Sequence, residues 1–377
     1  MINVSRLYCG LAGSSDHLRY GRPVDAGPVV AYNFTRRCNL RCRHCYSASG
    51  CDGAPDELTL DQAKTLLRQL KQARCPVVLL SGGEPLLRDD LFDLLGEARR
   101  IGLRAVLSSN GTLIDQGVAE RLADLDVGYV GVSIDGPPTF HDAFRQAQGS
   151  FQRALEGIGH CQRIGLRTGL RFTITRENAG HVRFVFDLAR DQGIRRICFY
   201  HLVRSGRVEP ETVPSLAQVR SAVEAIIEMT ALSATWIEEV LTVDNHADGP
   251  YILVRMQREG HRRLDEARAL LQEAGGNRVG QGIACVGWEG SVYPDQFWRN
   301  HALGNVRVRP FGEIWQDASD LVLWRLRHKD QFADPRCKRC RWFALCRGNY
   351  RCLGLDPIEG DWLNEPPCYL TDAEIRT

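Results

Sequence analysis

The sequence predicts an α/β fold: a partial (βα)6 TIM-like barrel followed by a small, cysteine-rich C-terminal domain. Between residues 29 and 203, short runs of β-branched and aromatic residues alternate with amphipathic helical stretches. The starts of these runs are 24 to 48 residues apart, which is typical of βα units around a parallel sheet. Six units fall short of the eight that close a barrel, so we expect an open one.

The individual elements follow from local patterns. The predicted strands begin at Val29, Val77, Ala105, Tyr129, Gly169 and Arg196. The predicted helices lie between them, at about 59–74, 89–101, 115–125, 149–164 and 180–192. Several strands end in polar or glycine-rich sequences, where parallel α/β folds place their functional residues.

Changes in composition divide the chain into four parts. We expect an N-terminal extension over 1–28, the partial barrel over 29–203, a helical connecting region over 204–282 and a cysteine-rich domain over 283–377. The connecting region is charged and shows no strand rhythm, whereas the last part contains most of the tryptophans and six cysteines.

Composition excludes several classes of function. The 377 residues carry a net charge of +2, so bulk charge gives no reason to expect a nucleic-acid partner. No apolar run approaches the ~20 residues of a membrane span. The segment from Met1 to Leu7 lacks the long apolar core of a secretion signal, and we expect a cytoplasmic protein without a membrane partner.

Cysteine and arginine are the unusual residue types. Fourteen cysteines in a cytoplasmic chain do not form a disulfide framework, because that compartment keeps thiols reduced. Most of them fall into two tight groups, which points to metal. Lysine and arginine total 48, of which only four are lysines. Base composition of the genome explains most of this bias, although some guanidinium groups can serve to bind several carboxylates.

The first cysteine group follows the first predicted strand of the barrel. Cys38, Cys42 and Cys45 precede Tyr46 in a C-x3-C-x2-C arrangement. Three thiolates can hold three irons of a 4Fe–4S cluster and leave the fourth iron open to a substrate or cofactor. The alternative is a structural zinc ion, which requires a fourth ligand. His44 is a candidate, but it stands between two of the cysteines, where its side chain would be poorly directed towards the same ion.

The second cysteine group lies near the C-terminus. It consists of Cys337, Cys340 and Cys346 in a C-x2-C-x5-C arrangement, and Cys368 follows further on. A metal cluster is favoured over thioredoxin-like redox chemistry, because the pair has two further cysteines and no βαβ context. On the residues alone, zinc stays open as an alternative to iron–sulfur.

The first cysteine group and three later motifs together resemble the radical S-adenosylmethionine (SAM) enzymes. In that family Gly82-Gly83-Glu84-Pro85 would contact the amino group of SAM, and the residues after the next two strands would bind its ribose and carboxylate. The implied cofactor-binding residues are Tyr46, Gly82, Gly83, Glu84, Pro85, Ser109, Asn110, Ser133 and Asp135. A single such motif is weak, but four in order at the ends of strands are specific.

The resemblance implies a reaction type. The open iron of the 4Fe–4S cluster held by Cys38, Cys42 and Cys45 would bind SAM. An electron from a donor such as ferredoxin or flavodoxin would then cleave SAM, giving methionine and a 5′-deoxyadenosyl radical that abstracts a substrate hydrogen. The protein would orient the reactants and exclude water.

The second cysteine group resembles the SPASM/Twitch extension of these enzymes. The resemblance implies that Cys337, Cys340, Cys346 and Cys368 hold one auxiliary 4Fe–4S cluster, the second cluster of the protein. Arg309 and Tyr350 stand where the two-cluster pattern has further cysteines. We therefore expect a single auxiliary cluster, with Cys285 and Cys352 as spare thiols, alternative ligands or core residues.

Other stretches resemble a narrower group that remodels the side chains of sirohaem-derived iron tetrapyrroles. They include the opening residues 2–10 and the segments 199–207, 244–250 and 285–297. The opening segment favours removal of acetate side chains from 12,18-didecarboxysirohaem to give iron-coproporphyrin III, in haem biosynthesis. Removal of propionates, as in haem d1 biosynthesis, is the alternative.

A flat, polycarboxylated macrocycle with a central iron needs arginines for its carboxylates and a ligand for its iron. His201, Arg204 and Arg207 follow the sixth predicted strand, and we expect them at the substrate. His201 is a candidate axial ligand or proton donor, and His246 is its rival. A structural role for either histidine, and solvated surface charges for the two arginines, are the alternatives.

Two other functions stay open. A SPASM enzyme that modifies peptides would be expected to carry a peptide-recognition domain, and the 37 residues before Cys38 look too short and irregular for one. A non-catalytic electron carrier would need neither the Gly82-Gly83-Glu84-Pro85 motif nor an open iron.

Overall fold

The computed structural model describes all residues except 14, 22, 24, 353–361 and 377, and gives no side-chain placement for 352, 362 and 363. The strands are β1 (Ile2–Asn3), β2 (Val29–Thr35), β3 (Val78–Gly82), β4 (Ala105–Ser109), β5 (Val130–Ser133), β6 (Thr168–Ile174), β7 (Arg196–His201), β8 (Glu239–Val243), β9 (Ile283–Val286), β10 (Ser291–Tyr293), β11 (Gly304–Asn305), β12 (Tyr350–Cys352) and β13 (Trp362–Asn364).

The helices lie mainly between consecutive strands of the barrel and in the C-terminal third. They are α1 (Leu60–Gln72), α2 (Leu91–Arg100), α3 (Gln116–Asp124), α4 (Pro138–Arg145), α5 (Ser150–Arg163), α6 (Val182–Asp191), α7 (Leu216–Leu232), α8 (Asp248–Arg258), α9 (Leu264–Ala274), α10 (Phe311–Gln316), α11 (Leu321–Arg327), α12 (Lys329–Phe332), α13 (Pro335–Lys338), α14 (Phe343–Cys346) and α15 (Asp372–Arg376). Within the described ranges, no helix has the length and apolar composition needed to cross a membrane.

One sheet organises the molecule. Its strands run in the order β1-β8-β7-β6-β5-β4-β3-β2-β9-β10-β11. Strands β2 to β8 are parallel to their neighbours, and β9 joins β2 in parallel, whereas β1, β10 and β11 are antiparallel. The predicted α/β partial-barrel fold is confirmed, with every predicted βα unit present.

The sheet extends further than the sequence indicated. Strand β8 lies within the region expected to be helical, and pairs in parallel with β7. All five of its residues are buried, so the alternation of polar and apolar residues that reveals a half-exposed strand is missing. Strand β9 comes from the C-terminal part and pairs Cys285 with Ala31 of β2. The division into four parts stays a prediction.

The two faces of the barrel strands have different neighbours. One set of alternate residues, such as Tyr32, Leu80 and Phe172, is fully buried in the main hydrophobic core. The opposite set, including Ser81 and Arg171, lines cavities on the concave side. Since side chains alternate along a strand, the same short segments build both the core and the site.

Helix α1 shows how local sequence fixes the outer layer. Thr59 and Gln62 form a reciprocal capping box at its N-terminus, which satisfies two backbone N–H groups. Its buried residues recur at helical spacing: Ala63, Leu66, Leu67 and Leu70. The helix therefore packs one apolar stripe on the sheet and leaves its charged residues in solvent.

Candidate functional site

The first cysteine loop begins where β2 ends. Backbone hydrogen bonds fold it back on itself: Cys38 N donates to Gly50 O (2.7 Å) and Cys45 N donates to Cys42 O (3.3 Å). All three thiols line one cavity of about 160 Å³, which we call the upper cavity because it lies at the carboxyl ends of the strands. Burial raises the pKa of Cys42 to about 11, so metal binding must displace a proton from this thiol.

Two glycines bring β3 against this loop. A Cβ on Gly83 would lie 2.1 Å from the carbonyl oxygen of Arg37, and one on Gly82 would lie 2.6 Å from that of Thr35. The N–H of Gly83 donates to Thr35 O at 2.7 Å. Both glycines line the upper cavity, and only glycine permits so close an approach of the two backbones.

Glu84 holds the loop after β4 from behind the cavity wall. Its carboxylate accepts hydrogen bonds from Asn110 N (2.7 Å) and Ser109 Oγ (2.9 Å) and is fully buried. Glu84 and Pro85 are not among the residues that line the upper cavity, whereas Ser109 and Asn110 are. The carboxylate of Glu84 thus shapes the wall of the cavity, and direct cofactor contact by Glu84 and Pro85 stays a prediction.

The stability of the fold should depend on pH through Glu84. Burial raises the pKa of its carboxyl to about 7. Between the ordinary pKa of a glutamate and pH 7, the folded chain therefore binds more protons than the unfolded chain. The free energy of unfolding should therefore decrease by up to roughly 3 kcal/mol as pH rises through this window. Denaturant unfolding of Glu84→Gln at several pH values should lack this dependence. Parallel curves for Glu84→Gln and the wild type would contradict the assignment, and exposed Glu120→Gln is the control.

Tyr46, Ser133 and Asn110 occupy three sides of the upper cavity. The hydroxyl of Tyr46 donates to Asn33 Oδ1 at 2.7 Å, which fixes the ring beside the cysteine loop. Ser133 is the last residue of β5. The structure thus brings these three predicted cofactor residues together with the three thiols.

Asp135 lies behind the lining of the upper cavity and orients Arg145. Its carboxylate accepts a hydrogen bond from Arg145 Nε at 2.7 Å, and both side chains are buried. Although burial by itself favours the neutral acid, the Arg145 guanidinium holds the pKa of Asp135 below its usual value. Arg145 lines the cavity, whereas Asp135 is not among its lining residues, and a direct cofactor role of Asp135 stays a prediction. The turn between β5 and α4, invisible in sequence spacing, brings the pair together.

His44 packs beside this pair. Its ring stacks on Phe144 with centroids 4.7 Å apart, and Nε2 lies 3.8 Å from Asp135 Oδ1. Burial lowers the pKa of His44 to about 4, so the imidazole is neutral at pH 7.

His201 is held by a carboxylate on one side and is open on the other. Its Nε2 lies 2.8 Å from Asp248 Oδ2, and Tyr369 donates to the other oxygen of Asp248 at 2.7 Å. In the described residues, Nδ1 of His201 is buried without a hydrogen-bond partner, and the residue lines the upper cavity. A carboxylate on one ring nitrogen is the usual partner of a histidine whose other nitrogen binds a metal.

Arg204 and Arg207 are engaged with the protein itself. Arg204 donates to Glu365 through Nε (3.1 Å) and Nη2 (2.9 Å). Arg207 donates to Cys42 O (3.2 Å) and Ser49 O (2.7 Å), and so braces the first cysteine loop. Neither is among the residues that line the two large cavities, and their binding of substrate carboxylates stays a prediction.

A second cavity of about 250 Å³, the inner cavity, lies inside the barrel. Arg171, Tyr200, Asp244 and Gln296 line both cavities, so the two adjoin. Its apolar wall includes Val29, Val77, Leu79 and Val106, and its arginines are Arg19, Arg104, Arg171, Arg196, Arg278 and Arg351. The sequence singled out none of these arginines, because only the closure of the sheet shows which side chains point inward.

His246 lines the inner cavity rather than the upper one. Its Nε2 lies 3.1 Å from the amino nitrogen of Met1, and burial lowers its pKa well below the usual value. The two candidate histidines therefore stand at different cavities, and His201 is the one beside the first cysteine loop.

The second cysteine group surrounds a small cavity of about 20 Å³. Its four thiol-bearing residues are Cys337, Cys340, Cys346 and Cys368. Within the described part of the chain, no three His, Cys, Asp or Glu side chains are arranged to hold a single metal ion. Four thiols around one cavity supply the number of thiolates that a 4Fe–4S cluster takes.

Arg309 and Tyr350, which stand where the two-cluster pattern has cysteines, bind other side chains. Arg309 pairs with Asp317 at 2.8 Å, and the hydroxyl of Tyr350 donates to Asp334 at 3.1 Å. Cys285 is buried in β9, where its Sγ accepts from Asn33 at 3.5 Å. The side chain of Cys352 lies outside the described residues.

Comparison with known proteins agrees with this geometry. A model of the radical SAM superfamily matches residues 32–189, and a model of the SPASM iron–sulfur cluster-binding domain matches residues 278–341. The Fe-coproporphyrin III synthase of Methanosarcina barkeri is 44% identical over 394 aligned positions, which cover 100% of this chain and 99% of that protein. The chain belongs to the radical SAM superfamily. This radical SAM enzyme binds SAM and a 4Fe–4S cluster through its barrel, and its C-terminal SPASM domain binds iron–sulfur.

Two further proteins resemble this radical SAM enzyme. The pre-heme d1 synthase of Dinoroseobacter shibae is 38% identical, over 93% of this chain and 88% of that one. The crystal structure of Streptococcus suis SuiB bound to its precursor peptide SuiA has a TM-score of 0.69 at 15% identity, over 86% of this chain and 72% of that one. At this identity the second likeness shows the fold alone.

Proposed function

We propose that this radical SAM enzyme removes acetate side chains from 12,18-didecarboxysirohaem to give iron-coproporphyrin III. The observation that carries the proposal is the full-length similarity to a protein named Fe-coproporphyrin III synthase. The arginine-lined inner cavity beside the upper one supports it, because a polycarboxylated macrocycle requires both cationic groups and apolar walls. The reaction belongs in the cytoplasm, with ferredoxin or flavodoxin as the electron donor.

Residues around the upper cavity have separate tasks in this proposal. Cys38, Cys42 and Cys45 hold the 4Fe–4S cluster, which supplies the electron that cleaves SAM. Arg145, fixed by Asp135, provides a guanidinium for the SAM carboxylate. Gly82 and Gly83 keep the wall close to the cysteine loop.

His201 binds the substrate iron through Nδ1. Asp248 fixes the ring orientation from the other nitrogen, so an Asp248→Asn variant should lower tetrapyrrole turnover about 10- to 100-fold. His201→Ala should lower it at least as much, because the ligand itself is lost. Both variants should still form 5′-deoxyadenosine, and the absorption spectrum of bound substrate should change. An unchanged spectrum and turnover in His201→Ala would contradict the assignment, with exposed His17→Ala as the control.

The auxiliary cluster is held by Cys337, Cys340, Cys346 and Cys368 in this proposal. Cys340→Ala should reduce bound iron and lower tetrapyrrole turnover, since a side chain that leaves as a radical fragment would need an electron and a proton to complete the product, and the auxiliary cluster would supply the electron. Iron analysis and product yield measure this effect, with half-buried Cys9→Ala as the control. Wild-type product yield without the auxiliary cluster would rule out an electron-transfer role.

The test of the proposed function is an anaerobic incubation of the reconstituted protein with SAM, a reductant and 12,18-didecarboxysirohaem. Mass spectrometry should show loss of two acetate groups together with 5′-deoxyadenosine. Loss of propionates instead would assign the protein to haem d1 synthesis. Abundant 5′-deoxyadenosine with an unchanged macrocycle would overturn the tetrapyrrole assignment and favour a peptide substrate.

A further inference from the structure

Arg171 stands at the junction of the two cavities. It lies in the middle of β6, in register with Ser133 of β5 on one side and Cys198 of β7 on the other. Ser133 lines the upper cavity and Cys198 the inner one, whereas Arg171 lines both. Arg171 is the one arginine among the four residues that line both cavities.

The guanidinium of Arg171 has no carboxylate partner among the described residues. Three other arginines of the inner cavity pair with carboxylates: Arg19 and Arg196 each lie 2.9 Å from Glu239, and Arg351 lies 2.9 Å from Asp295. Arg171 instead lies over the ring of Tyr200, with Cζ 4.4 Å from the centroid. A half-buried cation without a counter-ion attracts an anionic ligand strongly, because little water screens it.

The space for this side chain is built into the neighbouring strand. Gly131 of β5 lies beside Arg171, and a Cβ on Gly131 would lie 2.7 Å from Cδ of the arginine. The stem of Arg171 therefore occupies the place where any other residue would put its side chain. Together with the Tyr200 ring, this fixes the direction of the guanidinium.

We propose that Arg171 binds a carboxylate of the substrate at this junction and so determines which polycarboxylated ligands are accepted. The inference rests on the proposed function and deepens it by naming a specificity-determining residue. A guanidinium stacked on an aromatic ring keeps its N–H edge free for a two-point contact with a carboxylate. That contact holds one edge of the macrocycle at a fixed distance below the cofactor.

The test compares Arg171→Gln with the wild type in the 12,18-didecarboxysirohaem assay. The KM for the tetrapyrrole should rise about 10- to 100-fold, because a charge-assisted hydrogen bond is lost. Equilibrium binding of SAM should weaken less than the KM for the tetrapyrrole rises, because Arg145 stays in the upper cavity, and an equal loss of both would overturn the inference. Arg183→Gln, which removes an exposed arginine of α6, is the charge-matched control and should keep the wild-type KM.

A second variant tests position without removing the charge. Gly131→Ala should displace Arg171 and raise the KM, whereas Gly96→Ala, whose Cβ would meet nothing closer than 3.9 Å, should not. Absorbance titrations with iron-coproporphyrin III, which has four carboxylates, and haem, which has two, give a second readout. Arg171→Gln should weaken binding of iron-coproporphyrin III more than binding of haem.

The outcomes separate the two proposals. If the wild type converts the tetrapyrrole and Arg171→Gln has the same KM, the inference about Arg171 is overturned and the proposed function stands. A wild type that binds iron-coproporphyrin III without converting 12,18-didecarboxysirohaem would overturn the proposed function, and the titration would then decide on Arg171. If Arg171→Gln weakened the binding of iron-coproporphyrin III and of haem equally, the assignment of Arg171 as a specificity-determining residue would be overturned.

Discussion

A Cys42→Ala variant should form no 5′-deoxyadenosine and should lose about four iron atoms per chain. Cys42 is central in the first cysteine loop, and its carbonyl oxygen also accepts hydrogen bonds from Cys45 N and Arg207 Nε. Removing the thiol leaves two ligands for a cluster that already has one open iron. The backbone contacts do not involve the side chain, so the loop should keep its fold.

Liquid chromatography of anaerobic reactions and iron analysis measure this effect. The control is Cys51→Ala, which removes an exposed cysteine at the end of the same loop and should leave both values unchanged. Surviving 5′-deoxyadenosine formation in Cys42→Ala would refute the assignment of the first cluster.

An Arg145→Gln variant should both destabilise the fold and weaken SAM binding. The ion pair with Asp135 is buried on both sides, so loss of the guanidinium leaves an unpaired carboxylate in the interior. Breaking a buried pair in this way costs about 3–5 kcal/mol of unfolding free energy. The same substitution removes a guanidinium from the upper cavity. Of the two arginines that line this cavity among the described residues, Arg145 is the one that pairs with a carboxylate.

The double variant Asp135→Asn with Arg145→Gln separates the two effects. Replacement of both charges removes the unpaired carboxylate, so most of the lost stability should return. SAM affinity, measured by equilibrium binding to the reconstituted protein, should stay low. Recovery of SAM affinity in the double variant would show that Arg145 acts only through the fold.

Local sequence was sufficient for the fold class and for the neighbourhood of the first cluster. Each βα unit carries its own signal, because strand and helix periodicities differ within a few residues. The carboxyl ends of parallel strands meet at one edge of the sheet, so the thiols, Gly82-Gly83 and Ser133 had to come together. The second cysteine group is close in sequence apart from Cys368, and it too surrounds one cavity.

Local sequence did not reveal which partner a charged side chain binds in the folded chain. Arg204 and Arg207 directly follow β7 at the predicted mouth, yet they bind Glu365 and the cysteine loop. Asp135 has the right position for a cofactor ligand, yet it binds Arg145. The partner of Arg204 lies 161 residues away, and that of Asp135 depends on the turn between β5 and α4, so spacing reveals neither pairing.

The sequence by itself thus determined the α/β barrel, the two cysteine groups and the kind of chemistry they support. The tertiary structure decided that β8 and β9 extend the sheet and that Arg171, rather than Arg204, lines the upper cavity. The physical reason is that periodicity and metal-binding spacings are short-range properties of the chain. The partner of a buried charge is instead set by which distant segments the packed sheet brings within a few ångströms.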